Sequence, residues 1–295
     1  MKISYFPGCT LKTTAKNFEE SALASLSFLG IDVVELPRWN CCGTVYSLTD
    51  DDLMHQIAPI RNLIRVKEQK DTRVVTLCSM CYNTLKRANN LVKEDEEKLN
   101  KLNDFMYREN VKYDGKVEVL HLLEVLKNEV GFSEIAKKVK RSLKGLRVAN
   151  YYGCLLLRPP EVGLDDPEHP TILNDLLHSL GAEVIDYPYE TECCGSYHTV
   201  VNVDLVVERA YDILNSAISQ GAEAVVLSCP LCNFNLDNRQ KEIKKKFPDF
   251  KGIPVFYFTQ LLALSLGLDE RVCRFELNFV NPYPLLKSKH LITGA

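Results

Sequence analysis

The sequence predicts an α/β fold made of two similar parallel-sheet lobes that arise from an internal repeat, with cysteine loops at the strand carboxyl ends. Three observations carry this. Short apolar runs alternate with segments of helical spacing, which implies parallel pairing through crossover helices. The alternation occurs twice. Ten of the eleven cysteines fall into one pattern written twice: Cys9, then Cys41-Cys42-Gly43, then Cys78-Ser79-Met80-Cys81; and Cys154, then Cys193-Cys194-Gly195, then Cys229-Pro230-Leu231-Cys232. The lone cysteine and the vicinal pair are separated by 31 and 38 residues, the pair and the Cys-x-x-Cys by 35 and 34.

Taken in order, Ile3 to Phe6 is a strand and Cys9 follows it. Phe18, Ala22, Leu26 and Leu29 give a helix over Lys16 to Leu29, stopped by Gly30. Val33 to Leu36 is a second strand that leads through Pro37 to the first pair, a helix covers about 51–68, and the strand Arg73 to Leu77 delivers Cys78. A polar helical arm, 92–110, has no counterpart in the second half, and its run of Lys and Glu reads as a solvated face. Val117 to Leu120 is a fourth strand before a Leu-rich helix. The second half replays the order with a strand over Arg147 to Tyr152, a helix near Pro170 to Leu180, strands at Glu183 to Tyr187 and Ala224 to Leu227, a helix over Asp237 to Lys246, and a strand at Pro254 to Tyr257 before another Leu-rich helix. A charged linker within Gly131 to Gly145 places the boundary, giving lobes 1–140 and 141–295. In open parallel sheets ligands bind at the carboxyl ends of strands, so three cysteine loops per lobe converge on one place.

The chain has 295 residues and is 46% hydrophobic, enough for ordinary cores without covalent staples. Met1 to Phe6 is too short for a secretory signal, and Phe256 to Leu268 is too short and too interrupted to span a bilayer, so a cytoplasmic protein with reduced thiols is expected. Thirty-six basic against thirty-nine acidic residues give a net charge of -3, which offers no broad field to nucleic acid. Clustered thiolates in sets larger than four point to iron and sulfide, since structural zinc is satisfied by four ligands. Five per lobe leaves two readings: a cubane with one spare thiol, or a cluster of another shape that uses all five. Gly43 and Gly195 are expected to let the backbone turn beside a bulky cofactor.

Beyond the cysteines, the chain resembles the B subunits of heterodisulfide reductases (HdrB), among the cysteine-rich CCG-domain proteins. The resemblance runs through Phe6-Pro7-Gly8-Cys9, Tyr151-Tyr152-Gly153-Cys154, Leu156-Leu157-Arg158-Pro159-Pro160, Asp165-Asp166-Pro167-Glu168 and Phe279-Val280-Asn281-Pro282. It implies two noncubane [4Fe-4S] clusters, one on Cys9, Cys41, Cys42, Cys78 and Cys81, the other on Cys154, Cys193, Cys194, Cys229 and Cys232, with a disulfide substrate split between them. It also implies two partners from the same kind of complex: the ferredoxin-like HdrC component as electron donor, fed by the flavin-bearing HdrA component. The chain itself shows no ferredoxin run, no Gly-x-Gly-x-x-Gly and no P-loop, which agrees with an external electron source.

Three alternatives stand beside that reading. One is an iron-sulfur electron-transfer subunit of a lactate-, glycolate- or glycerol-phosphate-oxidising complex, passing electrons to quinone. Another is a non-enzymatic scaffold holding two zinc ions, which leaves the fifth thiolate unexplained. The third is a thioredoxin-like dithiol enzyme, which leaves six cysteines unexplained. Among single residues, His198 lies three past Gly195 and is a candidate proton donor to a leaving thiolate, although a His in a loop more often only bonds a neighbour. Arg158 either attracts an anionic substrate or ties a loop. Cys273 stands outside both sets and reads as an ordinary buried thiol.

Overall fold

The structure, a computed structural model, describes residues 1–44 and 53–292. Its first half runs β1 (Lys2–Tyr5), α1 (Lys16–Phe28), β2 (Asp32–Glu35), α2 (Leu53–Glu68), β3 (Arg73–Thr76), α3 (Ser79–Glu94), α4 (Glu96–Phe105), β4 (Glu118–His121), α5 (Leu122–Val125) and α6 (Phe132–Lys138). The second runs β5 (Arg147–Tyr151), α7 (Ile172–Ser179), β6 (Glu183–Val184), α8 (Val203–Ser219), β7 (Ala224–Leu227), α9 (Pro230–Asn233), α10 (Gln240–Lys246), β8 (Val255–Tyr257), α11 (Phe258–Ser265) and α12 (Tyr283–Ser288). The strands form two four-stranded parallel sheets with orders β2-β1-β3-β4 and β6-β5-β7-β8. The expected architecture is therefore present, and the order repeats strand for strand. In each sheet the chain reverses direction of growth between the first and third strands, so the loops after them open into one crevice.

The helices form where apolar spacing provides a buried stripe. On α1, Phe18, Ala22 and Leu26 are buried, four residues apart, and the chain turns out at Leu29 and Gly30. That stripe does not stay within its lobe. The Phe18 ring stacks on Tyr257 at the start of α11, with centroids 4.3 Å apart and planes 4° from parallel, and Ser21 and Thr259 share a hydroxyl hydrogen bond of 2.7 Å. Phe258 meets Phe18 edge-on at 5.7 Å and lies 6.3 Å from His121 of β4, so one hydrophobic core is continuous through both halves.

Several expectations need correction. β6 keeps only Glu183–Val184 of the expected run to Tyr187, because the chain leaves the sheet to carry Glu190 and Glu192 towards β5. Helix α3 continues to Glu94 and the arm proper is the ten residues of α4, capped by the Asp95 side chain accepting from Lys98 N–H. The helix expected from Asp237 starts at Gln240, after a wider π turn over Phe234–Asn238. After β4 the Leu-rich helix keeps regular α spacing only over Leu122–Val125 before a π turn. Helix α8, seventeen residues long and capped by Asn202, is absent from the sequence-based expectation. It repeats α2, of which the described part begins at Leu53; positions 51–52 of the expected helix lie outside the described residues.

Candidate metal centre

Each Cys-x-x-Cys is placed by the same local device. A strand ends, its next residue but one is cysteine, and a helix begins there: Cys78 is the N-cap of α3 and Cys229 that of α9. Pro230 suits the first helical position, where no N–H is needed. The second cysteine, Cys81 or Cys232, then falls in the first turn, where the neighbouring thiols and burial keep it raised despite the helix N-terminus. The N–H of Cys81 donates to the Cys78 sulfur, and that of Cys232 to the Cys229 sulfur.

The vicinal pairs arrive on loops clamped from their neighbours. Before Cys41, Asn62 on α2 grips Asn40 at both backbone atoms, accepting from its N–H at 3.0 Å and donating to its carbonyl at 3.0 Å. Before Cys193, Tyr151 O–H donates to Glu192 O at 2.6 Å and Arg209 pairs with the Glu192 carboxylate at 3.1 Å. Asn235 Nδ2 donates to Cys194 O at 3.1 Å. Gly43 and Gly195 both take positive φ, +81° and +76°, as expected of turns against a crowded site, and Gly195 N–H donates to Cys193 Sγ at 3.3 Å. Gly8, in the Phe6-Pro7-Gly8-Cys9 motif, belongs with them. A Cβ there would stand 2.8 Å from Cys81 Sγ, so the backbone preceding Cys9 lies directly against the set.

All ten repeated cysteines are brought together. In the first lobe Cys9 and Cys41 sulfurs are 4.0 Å apart, and those of Cys42 and Cys81 are 3.6 Å apart. In the second, Cys194 and Cys232 sulfurs are 3.4 Å apart. Cys78 and Cys229, one from each lobe, each shift the other's thiol, and beside them Ser79 N–H donates to Ser228 O at 3.3 Å, so the two sets meet. The join is reinforced by Ser79 and Ser228, whose hydroxyls are 2.7 Å apart, and by Asn83 Nδ2, which donates to the carbonyls of Leu155 and Arg158 at 2.8 Å each. A cleft of about 10 Å³ at the join is lined from both sides, by Ser79 and Met80 and by Cys154, Ser196 and Cys232. Cys9 and Cys41 are exposed and Cys154 and Cys193 half-buried, so each set runs from an outer mouth to a shared interior.

Electrostatics split the thiols into donors and acceptors. Hydrogen bonds from Cys42 and Cys9 hold Cys41 down at about 2, while Cys9 is raised by its bond to Cys41 and by burial. Cys78 lies well below the ordinary thiol range because Cys229 and Cys81 donate to it, and Cys81 is raised by Cys42, Cys78 and burial. Cys193 is lowered to about 6 by Cys154 and the N–H groups of Gly195 and Ser196, with Cys154 raised in return. For Cys229 the Cys232 hydrogen bond lowers the pKa, but the bond to Cys78 and burial outweigh it and leave it at about 12.

This donor set suits iron and sulfide. Each lobe offers five cysteine thiols, the soft donor chemistry of iron–sulfur clusters, with neighbouring sulfurs 3.4 to 4.0 Å apart. Among the described residues no three His, Cys, Asp or Glu side chains converge on the position of a single metal ion. The sulfurs are strung in pairs.

The other candidates separate cleanly. His198 sits in a single 3-10 turn, Ser196–His198, with its side chain exposed. Its neighbour Tyr197 is also exposed but lies within electrostatic reach of the sulfurs: partial burial raises its hydroxyl, and the charges of Cys154, Cys193 and Cys229 add to this while Arg87 opposes it. Nothing in a Ser-Tyr-His sequence singles out the tyrosine. Arg158 ties loops, donating to Thr191 O at 3.1 Å and Pro167 O at 2.7 Å. Cys273 is buried, its thiol pushed up to about 12 by desolvation, and its S–H faces Gln260 O at 3.4 Å, as an ordinary core thiol.

Comparison with known proteins follows the same lines. The chain is 32% identical over 281 residues to the 8-methylmenaquinol:fumarate reductase membrane anchor subunit of Wolinella succinogenes, covering 95% of this chain and 97% of that one. It is 29% identical over 301 residues to the B subunit of the ferredoxin/F420H2-dependent CoB-CoM heterodisulfide reductase of Methanosarcina acetivorans, covering 100% and 99%. Its fold is similar to that of a hypothetical protein from Helicobacter pylori, with a TM-score of 0.78 at 12% identity, over 94% of this chain and 51% of that one. Among the described residues no helix is long and apolar enough to cross a membrane. The cysteine-rich domain pattern matches residues 3–86 and 148–237, one stretch in each half, and the chain belongs to the CCG cysteine-rich domain family.

Proposed function

We propose that this chain is the catalytic iron-sulfur component of a heterodisulfide reductase-type complex, reductively cleaving a disulfide to two thiols. Its lobes, 1–140 and 141–295, would each hold one noncubane [4Fe-4S] cluster, the first on Cys9, Cys41, Cys42, Cys78 and Cys81, the second on Cys154, Cys193, Cys194, Cys229 and Cys232. When bound, the clusters supply one-electron chemistry and a thiophilic metal surface. The single observation that carries the reading is the meeting of the two sets at Cys78 and Cys229, because a two-electron cleavage of one S–S bond needs two one-electron centres within reach of the same substrate. The chain's own residues do the positioning. Two facing helix N-termini place the inner sulfurs, the Ser79–Ser228 contact fixes the lobes together, and the outer cysteines leave a mouth on each side.

Identity of 29% along the whole length to the B subunit of a heterodisulfide reductase supports the same reading, and with it a ferredoxin-like donor protein and a flavin-bearing protein as partners. A second reading is favoured by a specific observation, the 32% identity to part of a menaquinol-linked fumarate reductase. There the same clusters would pass electrons between a quinol and a partner without breaking a disulfide. His198 is retained only as a proton donor at the outer mouth of the second set. The deciding experiment reduces anaerobically purified protein with a chemical donor and follows reoxidation by a disulfide panel, coenzyme M–coenzyme B included, and by water-soluble quinone analogues. Turnover of a disulfide supports the proposal; reoxidation by quinones with no response to any disulfide assigns the second reading.

A further inference from the structure

Buried amide groups in a folded protein are almost always hydrogen-bonded, so an exception points to something that binds beside it. Asn233 follows Cys232 directly, closes α9 and is only 7% exposed. Its Nδ2 is shut off from solvent and, among the described residues, meets no acceptor. Of the buried atoms in that condition it is the one N–H donor that adjoins a repeated cysteine in the sequence. An unpaired buried donor is costly to a fold, and nothing in the chain offsets that cost here.

Helical geometry puts this amide at the second set. Cys229 is the N-cap of α9, and Asn233 N–H donates to Cys229 O at 2.9 Å, so Asn233 lies one turn along on the same face. A nearby amide already serves these sulfurs. Asn235 Nδ2 donates to Cys194 O at 3.1 Å and reaches Cys194 Sγ at 3.5 Å, while its Oδ1 accepts from Thr199 Oγ1 at 2.7 Å. Asn235 is therefore complete within the chain, and Asn233 is not. The first lobe has no counterpart: four residues past Cys78 stands Tyr82, whose buried hydroxyl bonds Glu124 and accepts from Lys86 Nζ at 2.5 Å.

We propose that the Asn233 side-chain N–H is a built donor to a sulfur of the cluster held by the second set, and that it eases reduction of that cluster. The inference rests on the iron-sulfur reading of Cys154, Cys193, Cys194, Cys229 and Cys232, and not on what the reduced clusters act on. Reduction adds one negative charge to a cluster, and an N–H directed at its sulfurs stabilises the reduced state more than the oxidised one. Asn233 transfers no proton and touches no substrate. Its part is to set the potential of one of two otherwise similar centres.

The test is an anaerobic redox titration of the loaded protein followed by electron paramagnetic resonance, with iron counted in the same samples. Asn233→Leu, similar in size and without a donor, is expected to make one cluster about tenfold harder to reduce, a shift of about 59 mV for one electron. The other cluster and the iron content should stay as in the wild type. Asn233→Ser, which keeps a donor, is expected to shift the same cluster less. Unchanged midpoints in Asn233→Leu, or equal shifts in the two variants, would overturn the proposal, and so would loss of iron from either, which makes Asn233 a structural residue. Iron-loaded wild type that turns over a disulfide, with an unmoved midpoint in Asn233→Leu, removes this inference alone. Wild type without iron removes the cluster reading and this inference with it.

Discussion

Cys42 and Cys194, the second members of their pairs, are buried and lie 3.6 and 3.4 Å from the last cysteine of their own sets. A spare thiol would have no reason to be drawn in twice at the same place. Anaerobic protein is expected to carry about eight irons with matching labile sulfide, and Cys42→Ser or Cys194→Ser to bring this to about half, read by iron analysis and the reduced spectrum. Full iron in either variant would identify that cysteine as a bystander. Two other buried groups make an unusual pair. His121, Nε2–H bonded to Leu77 O at 2.8 Å, is lowered to about 3 by desolvation, and Asp237 is raised to about 7 by desolvation. Below its unfolded value the histidine binds a proton only when unfolded, so its contribution is lost as pH falls from about 6.5 towards 3. The aspartic acid keeps a proton only when folded, so its contribution is lost as pH rises from about 4 towards 7. Over about pH 4 to 6.5 the two slopes, each about 1.4 kcal/mol per unit, oppose each other. Denaturant titrations should therefore show stability falling with pH in His121→Gln and rising in Asp237→Asn, relative to a flatter wild type; parallel slopes in all three would contradict the assignment.

At the scale of elements, legibility follows local signals. The strands before Cys9, Cys78, Cys154 and Cys229 are apolar runs ended by a cysteine and a turn, so their places are readable to within a residue or two. Helix α8 is not, although Val206, Ala210, Ile213 and Ala217 recur at helical spacing, because Val203, Val206, Val207 and Ile213 are β-branched and read equally as a strand. The end of β6 is hidden for a related reason: Ile185 to Tyr187 is apolar enough for a strand, and only the tertiary bonds to Glu190 and Glu192 draw it away. In the site, the ligand candidates are legible because chemistry and spacing repeat, whereas Tyr197 and Gly8 have roles that exist only once other loops are against them. The contact of α1 with α11 is equally invisible in the sequence, and it adds to the Ser79–Ser228 and Asn83 contacts that hold the sets face to face. Phe18→Ala removes a fully buried ring stacked on Tyr257, and an expected loss of about 3 to 5 kcal/mol should appear in chemical denaturation as one cooperative transition at lower denaturant. A second transition would show that the lobes unfold separately.

For the whole molecule, duplication explains the arrangement better than any single residue. One lobe presents five sulfurs at the carboxyl ends of its strands; two lobes joined through α1 and α11 present ten, with Cys78 against Cys229. If a single substrate spans both sets, loss of either set is equivalent to loss of both. The most direct measurement is single-turnover cleavage of a disulfide by chemically reduced wild type, Cys42→Ser, Cys194→Ser and the double variant under anaerobic conditions. Near-equal loss in both single variants, with no further loss in the double, is the expected result; cleavage that persists at about half the wild-type rate with one set disabled would contradict the joint site.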